Sequence, residues 1–232
     1  MEILLSYQLI KSRKRRKTIS LHIKEDGRIV VYAPYRTPKL EIERFMKEKQ
    51  SWIIEKKSEK EKFTKGSEKA FIPGEKFLYL GEWYPLELEK ANHKNVPLKL
   101  SFGKFLLDQS HAAKAKHLFT QWYKREAKEK IAGRVNYFSN KLQLFPQGVK
   151  ITSARYRWGS CSRENQLSFS WRIIMAPLSV IDYVLIHELV HIKEKNHSKS
   201  FWSYVESILP DYKGDRLWLK EHAYLLHLSL RS

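Results

Sequence analysis

The chain has 232 residues, enough to bury one large hydrophobic core or two smaller ones. A hydrophobic fraction of 42% and an aromatic fraction of 13% exclude a disordered chain, and no run of 18 apolar residues predicts a membrane span. The 44 Lys and Arg against 25 Asp and Glu give a net charge of +19, which favours a polyanionic partner such as nucleic acid, a nucleotide or an anionic membrane. A general bias toward lysine explains the same charge, because the lysines are spread along the chain.

Two features of the sequence indicate its compartment. Cys161 is the one cysteine, so an internal disulfide is excluded and the cytoplasm is the expected location. The first basic residues of the chain follow a short apolar run, which is the reverse of a secretory signal.

The segment "KSRKRRK", residues 11–17, has six basic residues in seven positions. As an exposed strand or loop it predicts a polyanion-binding stripe with phosphate contacts from Arg13, Lys14, Arg15 and Arg16, close to several tyrosines. The alternative is a solvated edge strand whose charges discourage aggregation.

The rest of the N-terminal half is predicted to be rich in β-structure with one long helix. Pro38 begins that helix, which runs to about Lys60. Three alternating segments predict hairpins. Their expected turns are Asp26-Gly27, Gly81-Glu82 and Gly103-Lys104.

The second half has mainly helical patterns. A helix is expected over 112–142, followed by two strands around a polar turn within 148–174. Further helices are expected from Pro177, over about 198–208 and over about 217–228. The fold class is therefore α+β, with a β-rich region over 1–110 and a second region over 111–232, as two domains or as one continuous domain.

The helix that begins at Pro177 contains the motif His-Glu-x-x-His at 187–191. Residues four apart on a helix share a face, so His187 and His191 can point at one centre. Glu188 lies about a hundred degrees round the helix and can instead reach a water molecule on a metal held by the two imidazoles. This spacing is typical of zinc hydrolases in which the carboxylate is the general base.

A catalytic zinc needs a third protein ligand, and His197 is the leading candidate. The chain must leave the helix to return it to the site, and Asn196 is suited to a left-handed residue at that reversal. Ser198 suits the start of the next helix. Glu206 on that helix is the alternative third ligand.

The segments "RWGSCS" at 157–162 and "SWRIIMAPLSVIDYVLIHELVHIKEKNHSKSFW" at 170–202 resemble the YgjP-like metallopeptidase family, relatives of the SprT-like zincins. The resemblance implies a zincin-like C-terminal half packed against the β-rich half. It implies one zinc ion per chain, replaceable by nickel or cobalt, with His187, His191 and His197 as ligands and Glu188 as the base. The expected substrate is a peptide or a protein.

The segment "RWGSCS" also predicts a substrate site, because a sheet edge beside a zincin cleft can pair with an extended chain. Arg155 and Arg157 can polarise a carbonyl or hold a phosphate, and Trp158 is a third candidate. The alternative is that Trp158 and Cys161 only pack in the core; a fourth metal ligand at Cys161 is a further possibility.

Three functions follow from these patterns. The first is a cytoplasmic zinc metallopeptidase. The second is a metal-dependent nucleotide phosphohydrolase of pyrophosphatase type, favoured by the charge but opposed by the lack of a P-loop and of a carboxylate-rich magnesium site. The third is a nucleic-acid-associated protease.

Overall fold

The computed structural model describes residues 6–24, 28–55, 68–90, 96–155, 157–226 and 229–230. The chain divides into two compact units, residues 1–66 (unit 1) and residues 67–232 (unit 2). The fold is mixed α+β, as the sequence predicts. No helix in the described part of the chain is long and apolar enough to cross a membrane.

Unit 1 is a three-stranded sheet with a helix. Its elements are β1 (Tyr7–Ser12), β2 (Ser20–Ile23), β3 (Ile29–Pro34) and α1 (Lys39–Glu48), with more helix at 50–55. The strand order is β1-β3-β2, with β1 parallel and β2 antiparallel to β3. The predicted β2–β3 hairpin is confirmed, although its turn lies outside the described residues. Alternate side chains of β3, among them Val31 and Ala33, pack with Ile42 and Ile53 in a core of their own.

Unit 2 contains the other elements. Its helices are α2 (Ala115–Leu142), α3 (Leu178–Val190), α4 (Lys199–Ile208) and α5 (Tyr212–His222). Its strands are β4 (Glu68–Lys69), β5 (Lys76–Tyr79), β6 (Glu82–Glu89), β7 (Leu98–Ser101), β8 (Lys104–Asp108), β9 (Gly148–Thr152), β10 (Gly159–Cys161), β11 (Gln166–Ser170) and β12 (Ser229–Leu230). They form sheets in the orders β5-β6-β8-β7 and β10-β11-β9, and β12 pairs with β4. Where two strands were expected before α3, the structure has three.

The two hairpins of the first sheet turn one residue earlier than predicted. Tyr79 pairs with Glu82, so the central residues are Leu80 and Gly81, with φ of 51° and 87°. The β7–β8 turn repeats this geometry at Phe102 and Gly103. A type I′ turn requires positive φ at both central residues and suits the twist of the strands, and here glycine takes the second position instead of the first.

The sheet β5-β6-β8-β7 shares one core with the helices. Phe77 of β5 stacks on Phe119 of α2 at 4.0 Å between ring centroids, and Phe105 of β8 lies 4.9 Å from the same ring. The Tyr123 hydroxyl on α2 donates to the carbonyl oxygen of Leu78 at 2.7 Å. The boundary expected near residue 110 therefore falls inside unit 2, because residues on both sides of it fill the same interior.

Two contacts hold α3 in place within unit 2. The Arg134 guanidinium on α2 donates through two nitrogens to both carboxylate oxygens of Asp182 on α3. Ahead of α3, the N–H groups of Leu80 and Gly81 each donate at 3.0 Å, to the carbonyl oxygens of Ile174 and Met175. The helix is thus fixed by one helix and one hairpin that both precede it in the chain.

Candidate metal centre

The last turn of α3 presents two histidines on one face. His187 lies inside the helix, and His191 is the residue at which it ends, with a φ of −63° and a ψ of −14°. Because His191 keeps a helical conformation, the predicted i,i+4 stacking holds, and the two ring centroids are 4.9 Å apart. Phe201 of α4 is fully buried beneath them, with its ring 4.9 Å from that of His187 and 4.5 Å from that of His191.

The chain returns to this face without a left-handed residue at Asn196. Backbone N–H groups of residues 192–194 donate back to the carbonyls of Leu189 and Val190, which unwinds the helix end gradually. Asn196 is not among the described residues with a positive φ, and its side-chain oxygen accepts from the Ser198 N–H at 3.2 Å. Ser198 then caps α4 as predicted, accepting from the Phe201 N–H at 3.3 Å.

The reversal brings His197 to the pair. Its Nε2 lies 2.9 Å from Nε2 of His187 and 3.1 Å from Nε2 of His191. Nitrogen ligands about 2.0–2.1 Å from a tetrahedral zinc are about 3.3 Å apart, so the cluster needs only a small expansion to hold one ion. These three residues form the group of potential metal ligands found in the described part of the chain.

The ring orientations and protonation states also suit a metal. His191 Nδ1 lies 2.9 Å from the carbonyl oxygen of Glu194, so its N–H points there and Nε2 faces the cluster. Burial and the neighbouring His191 lower the pKa of His187 to about 3, and burial and His191 also lower the pKa of His197. Neutral imidazole is the form that binds a metal, so the site is prepared for a cation.

Glu188 is buried beside the cluster, with 7% of its surface exposed. Burial raises the pKa of its carboxyl to about 7, and the positive charge of Arg157 acts in the opposite direction. A cation on the three imidazoles would also favour the carboxylate form.

Gly159 at the start of β10 makes room for Glu188. A Cβ atom at this position would lie 2.6 Å from Cγ and 2.8 Å from Oε1 of Glu188. Both distances are shorter than van der Waals contact, and the buried carboxylate has little space into which to withdraw. The backbone of β10 thus forms one wall of the site.

We expect Gly159→Ala to lower the free energy of unfolding by about 1–3 kcal/mol, because it overpacks a buried side chain. Gly133→Ala is the matched control, since a Cβ there meets nothing within 4 Å outside its own helix, and it should raise stability by up to about 1 kcal/mol. Urea denaturation of both variants measures the difference. Equal stability of the Gly159 variant and the wild type would show that β10 and Glu188 are not in close contact.

β10 is also an edge strand, and it is the one in contact with Glu188. In the part of the chain that the structure describes, it pairs with β11 on one side only and forms the end of the β10-β11-β9 sheet. This edge strand lies within "RWGSCS" itself, whereas the sequence favours the flanking strands, one ending at Trp158 and one beginning at Gln166.

The residues of the predicted substrate site lie in different surroundings. Arg157 is exposed, and its positive charge favours the carboxylate form of Glu188. Arg155 is also exposed. Burial and the charge of Arg155 together lower the pKa of Arg172 to about 10. Trp158 and Cys161 are half-buried and pack against the main core.

Neither alternative ligand belongs to the histidine cluster. Burial raises the pKa of the Cys161 thiol, which opposes formation of the thiolate that a metal would bind. Glu206 instead accepts from the Lys213 ammonium at 2.8 Å.

An aromatic and cationic wall next to the histidines was missed in the sequence. Trp202 of α4 stacks on His197 at 5.7 Å and on Tyr212 at 5.4 Å. Arg216 of α5 lies 4.9 Å over the Trp202 ring, and its charge lowers the pKa of His187 and His197 in addition to burial and His191. No local pattern marks Arg216, because α5 reaches the site only through packing.

The three converging imidazole nitrogens form a group that can hold a metal ion. A family profile described as "YgjP-like, metallopeptidase domain" matches residues 17–222, and the chain belongs to this family.

Two further similarities cover smaller parts of the chain. A curated protein of Escherichia coli (strain K12), named UTP pyrophosphatase, is 26% identical over 90 residues, which are 36% of this chain and 54% of that protein. The match thus spans about half the length of that relative. The crystal structure of the metallopeptidase zymogen of Pyrococcus abyssi abylysin is similar over 39% of this chain and 93% of that chain, with 24% identity and a TM-score of 0.35.

Proposed function

We propose that this chain is a zinc-dependent metallopeptidase of zincin type, in which His187, His191 and His197 hold one zinc ion and Glu188 is the general base. The observation on which this depends is the convergence of three imidazole nitrogens next to a buried carboxylate, in a member of a metallopeptidase family. Three nitrogen donors suit zinc, and nickel or cobalt is accepted by the same set.

Bound zinc would supply a Lewis acid and would lower the pKa of a water ligand to about 7. The residues of the chain then move the protons. Glu188 takes a proton from the attacking water and delivers it to the nitrogen of the leaving amine. Burial against β10 keeps this carboxylate from water that would compete for it, and Gly159 leaves the space that the carboxylate occupies.

The free edge of β10 is the proposed binding site for the substrate backbone. An extended peptide that pairs there would run past Glu188, since Gly159 of β10 contacts that side chain. Arg157, at the same edge, would donate to a carbonyl oxygen of the peptide. Arg155 and Trp158, which precede β10 in the chain, are further proposed contacts for the same peptide.

A second candidate is hydrolysis of nucleoside triphosphates. Arg157 and Arg216 both act electrostatically on the site, one on Glu188 and the other on the histidines, and two guanidinium groups suit a polyphosphate. The relative named UTP pyrophosphatase favours this reaction as well.

The test compares both substrates on the zinc-loaded full chain. We expect cleavage within a mixture of unstructured peptides, seen by mass spectrometry, and loss of that cleavage when a chelator removes the metal. Release of pyrophosphate from UTP by the same protein, with the peptides left intact, would replace the peptidase with the phosphohydrolase.

An arginine variant separates the two reactions further. Arg216→Gln should raise the KM for UTP if the site binds a polyphosphate. Arg125→Gln, an equal change of charge at an exposed position of α2, is the control.

A further inference from the structure

The basic segment 11–17 lies in unit 1 and begins with the last two residues of β1. The Tyr35 N–H donates to the carbonyl oxygen of Ser12 at 3.1 Å, so the first residue after β3 is fixed next to the first residues of the segment. Lys11 donates to the carbonyl oxygen of Thr37 at 2.8 Å and contributes to the same junction. The segment is therefore anchored at its start to the end of the central strand.

Two arginines of the segment lie over tyrosine rings. The guanidinium carbon of Arg13 is 5.0 Å from the Tyr35 ring centroid, and that of Arg15 is 5.5 Å from the Tyr32 ring centroid. Arg15 also donates to the carbonyl oxygen of Thr18 at 3.2 Å, which orients its guanidinium group. Tyr35 keeps 56% of its surface exposed, so its ring is available to a further partner.

The second tyrosine, Tyr32, lies on one face of the unit 1 sheet. Tyr32 is opposite Ser20 in the register of β2 and β3, and the His22 ring is 5.3 Å from it in an edge-to-face contact. Val31 and Ala33, on the other face of β3, belong to the core of unit 1. Tyr32 is thus on the sheet face opposite that core, with Arg15 over its ring, and Tyr35 follows the end of β3 with its ring exposed.

No carboxylate of the described residues neutralises the cations of this surface. Arg13, Lys14, Arg15, Arg16 and Lys17 form no ion pair with a carboxylate among the described residues. By contrast, Lys39 and Arg44 on α1 of the same unit are each within 3.6 Å of a glutamate oxygen. Five consecutive basic residues of unit 1 thus lack an ion pair among the described residues, and two of them lie over tyrosine rings.

We propose that this Arg–Tyr surface, formed by residues 13–17 with Tyr32 and Tyr35, is a binding site for single-stranded nucleic acid. The free cations contact phosphates, and the exposed tyrosine and the flat guanidinium groups offer faces on which unpaired bases stack. Single strands fit better than a duplex, because bases inside a duplex present only their edges. The site lies in unit 1 and is separate in the chain from the metal ligands of unit 2.

The test uses the full chain and a fluorescent 15-nucleotide strand of mixed sequence, followed by anisotropy at low salt. We expect tighter binding to the strand than to a duplex of the same sequence, with affinity falling as salt rises. Replacing Arg13, Arg15 and Arg16 together by glutamine should reduce the slope of log affinity against log salt by about two, at roughly 0.7 per phosphate on a single strand.

A second triple variant tests the position of the charge. Lys39→Gln, Arg44→Gln and Lys49→Gln remove the same charge from α1 and the residue that follows it, and they should leave the slope nearly unchanged. Tyr35→Leu should weaken binding roughly five- to 100-fold through lost stacking, and Tyr35→Phe should not.

Three results would overturn the proposal: no binding at low salt, equal effects of the two triple variants, or equal affinity for the strand, for the duplex and for vesicles that contain anionic lipid. The last result would identify a general polyanion surface. Circular dichroism of each variant confirms that unit 1 is folded.

Discussion

Glu188→Gln should bind one zinc ion per chain, as we propose for the wild type, and should hydrolyse peptides about 10²–10⁴-fold more slowly. The amide has almost the same shape as the carboxylate, so it fits the space left by Gly159 and does not disturb the neighbouring imidazoles. It cannot accept the proton of the attacking water, so the loss should appear in kcat and leave KM nearly unchanged. Metal content by mass spectrometry and steady-state kinetics on one peptide measure both quantities.

Glu206→Gln is the matched control for this variant. It makes the same chemical change on α4, at a half-exposed carboxylate that pairs with Lys213. Metal content and kcat should both stay at the wild-type values. A Glu188 variant with the wild-type rate would exclude Glu188 as the base, and a variant without metal would assign it a role in binding the ion.

His197→Ala should weaken zinc binding by more than about 100-fold, which exceeds the 10–100-fold effect typical of groups that only orient a ligand. The reason is geometric, because removal of this ring leaves the His187 and His191 nitrogens without the third donor that closes the site. Competition with a chelator of known affinity gives the zinc dissociation constant of each variant.

Two controls distinguish ligation from packing. Glu206→Ala should leave zinc affinity nearly unchanged, because Glu206 is outside the cluster. His222→Ala removes a histidine that stacks on Trp218 of α5, and it should have no effect on the metal either. Loss of zinc from the Glu206 variant, with retention in the His197 variant, would move the third ligand to α4.

Local spacing predicted the parts of the site that depend on one helical turn. His187 and His191 share a face because four residues complete about one turn, and Ser198 caps α4 because its hydroxyl reaches the next free N–H. The chain reversal was predicted less well. Its geometry comes from hydrogen bonds that extend the end of α3, and Asn196 contributes through its side chain.

The sequence pattern could not predict features that depend on contacts between residues far apart in the chain. Gly159 appears ordinary in "RWGSCS", since its need for a missing Cβ arises only when α3 lies against β10. Arg216 belongs to a helix without a motif, and it reaches the site through Trp202. The boundary expected near residue 110 lies inside unit 2 for a similar reason, because composition changes there while the core continues across it.

The docking of the β5–β6 turn onto the residues before α3 limits how far this protein can be shortened. A fragment that starts at residue 111 would contain every residue of the metal centre. It would also leave the carbonyls of Ile174 and Met175 without the Leu80 and Gly81 donors, and it would expose Phe119 by removing Phe77 and Phe105. Uncovered aromatic surface of this kind favours aggregation over folding. We therefore do not expect α3 and its histidines to fold correctly when they are moved to another protein. A shortened fragment of this chain that keeps the metal centre has to begin before β5.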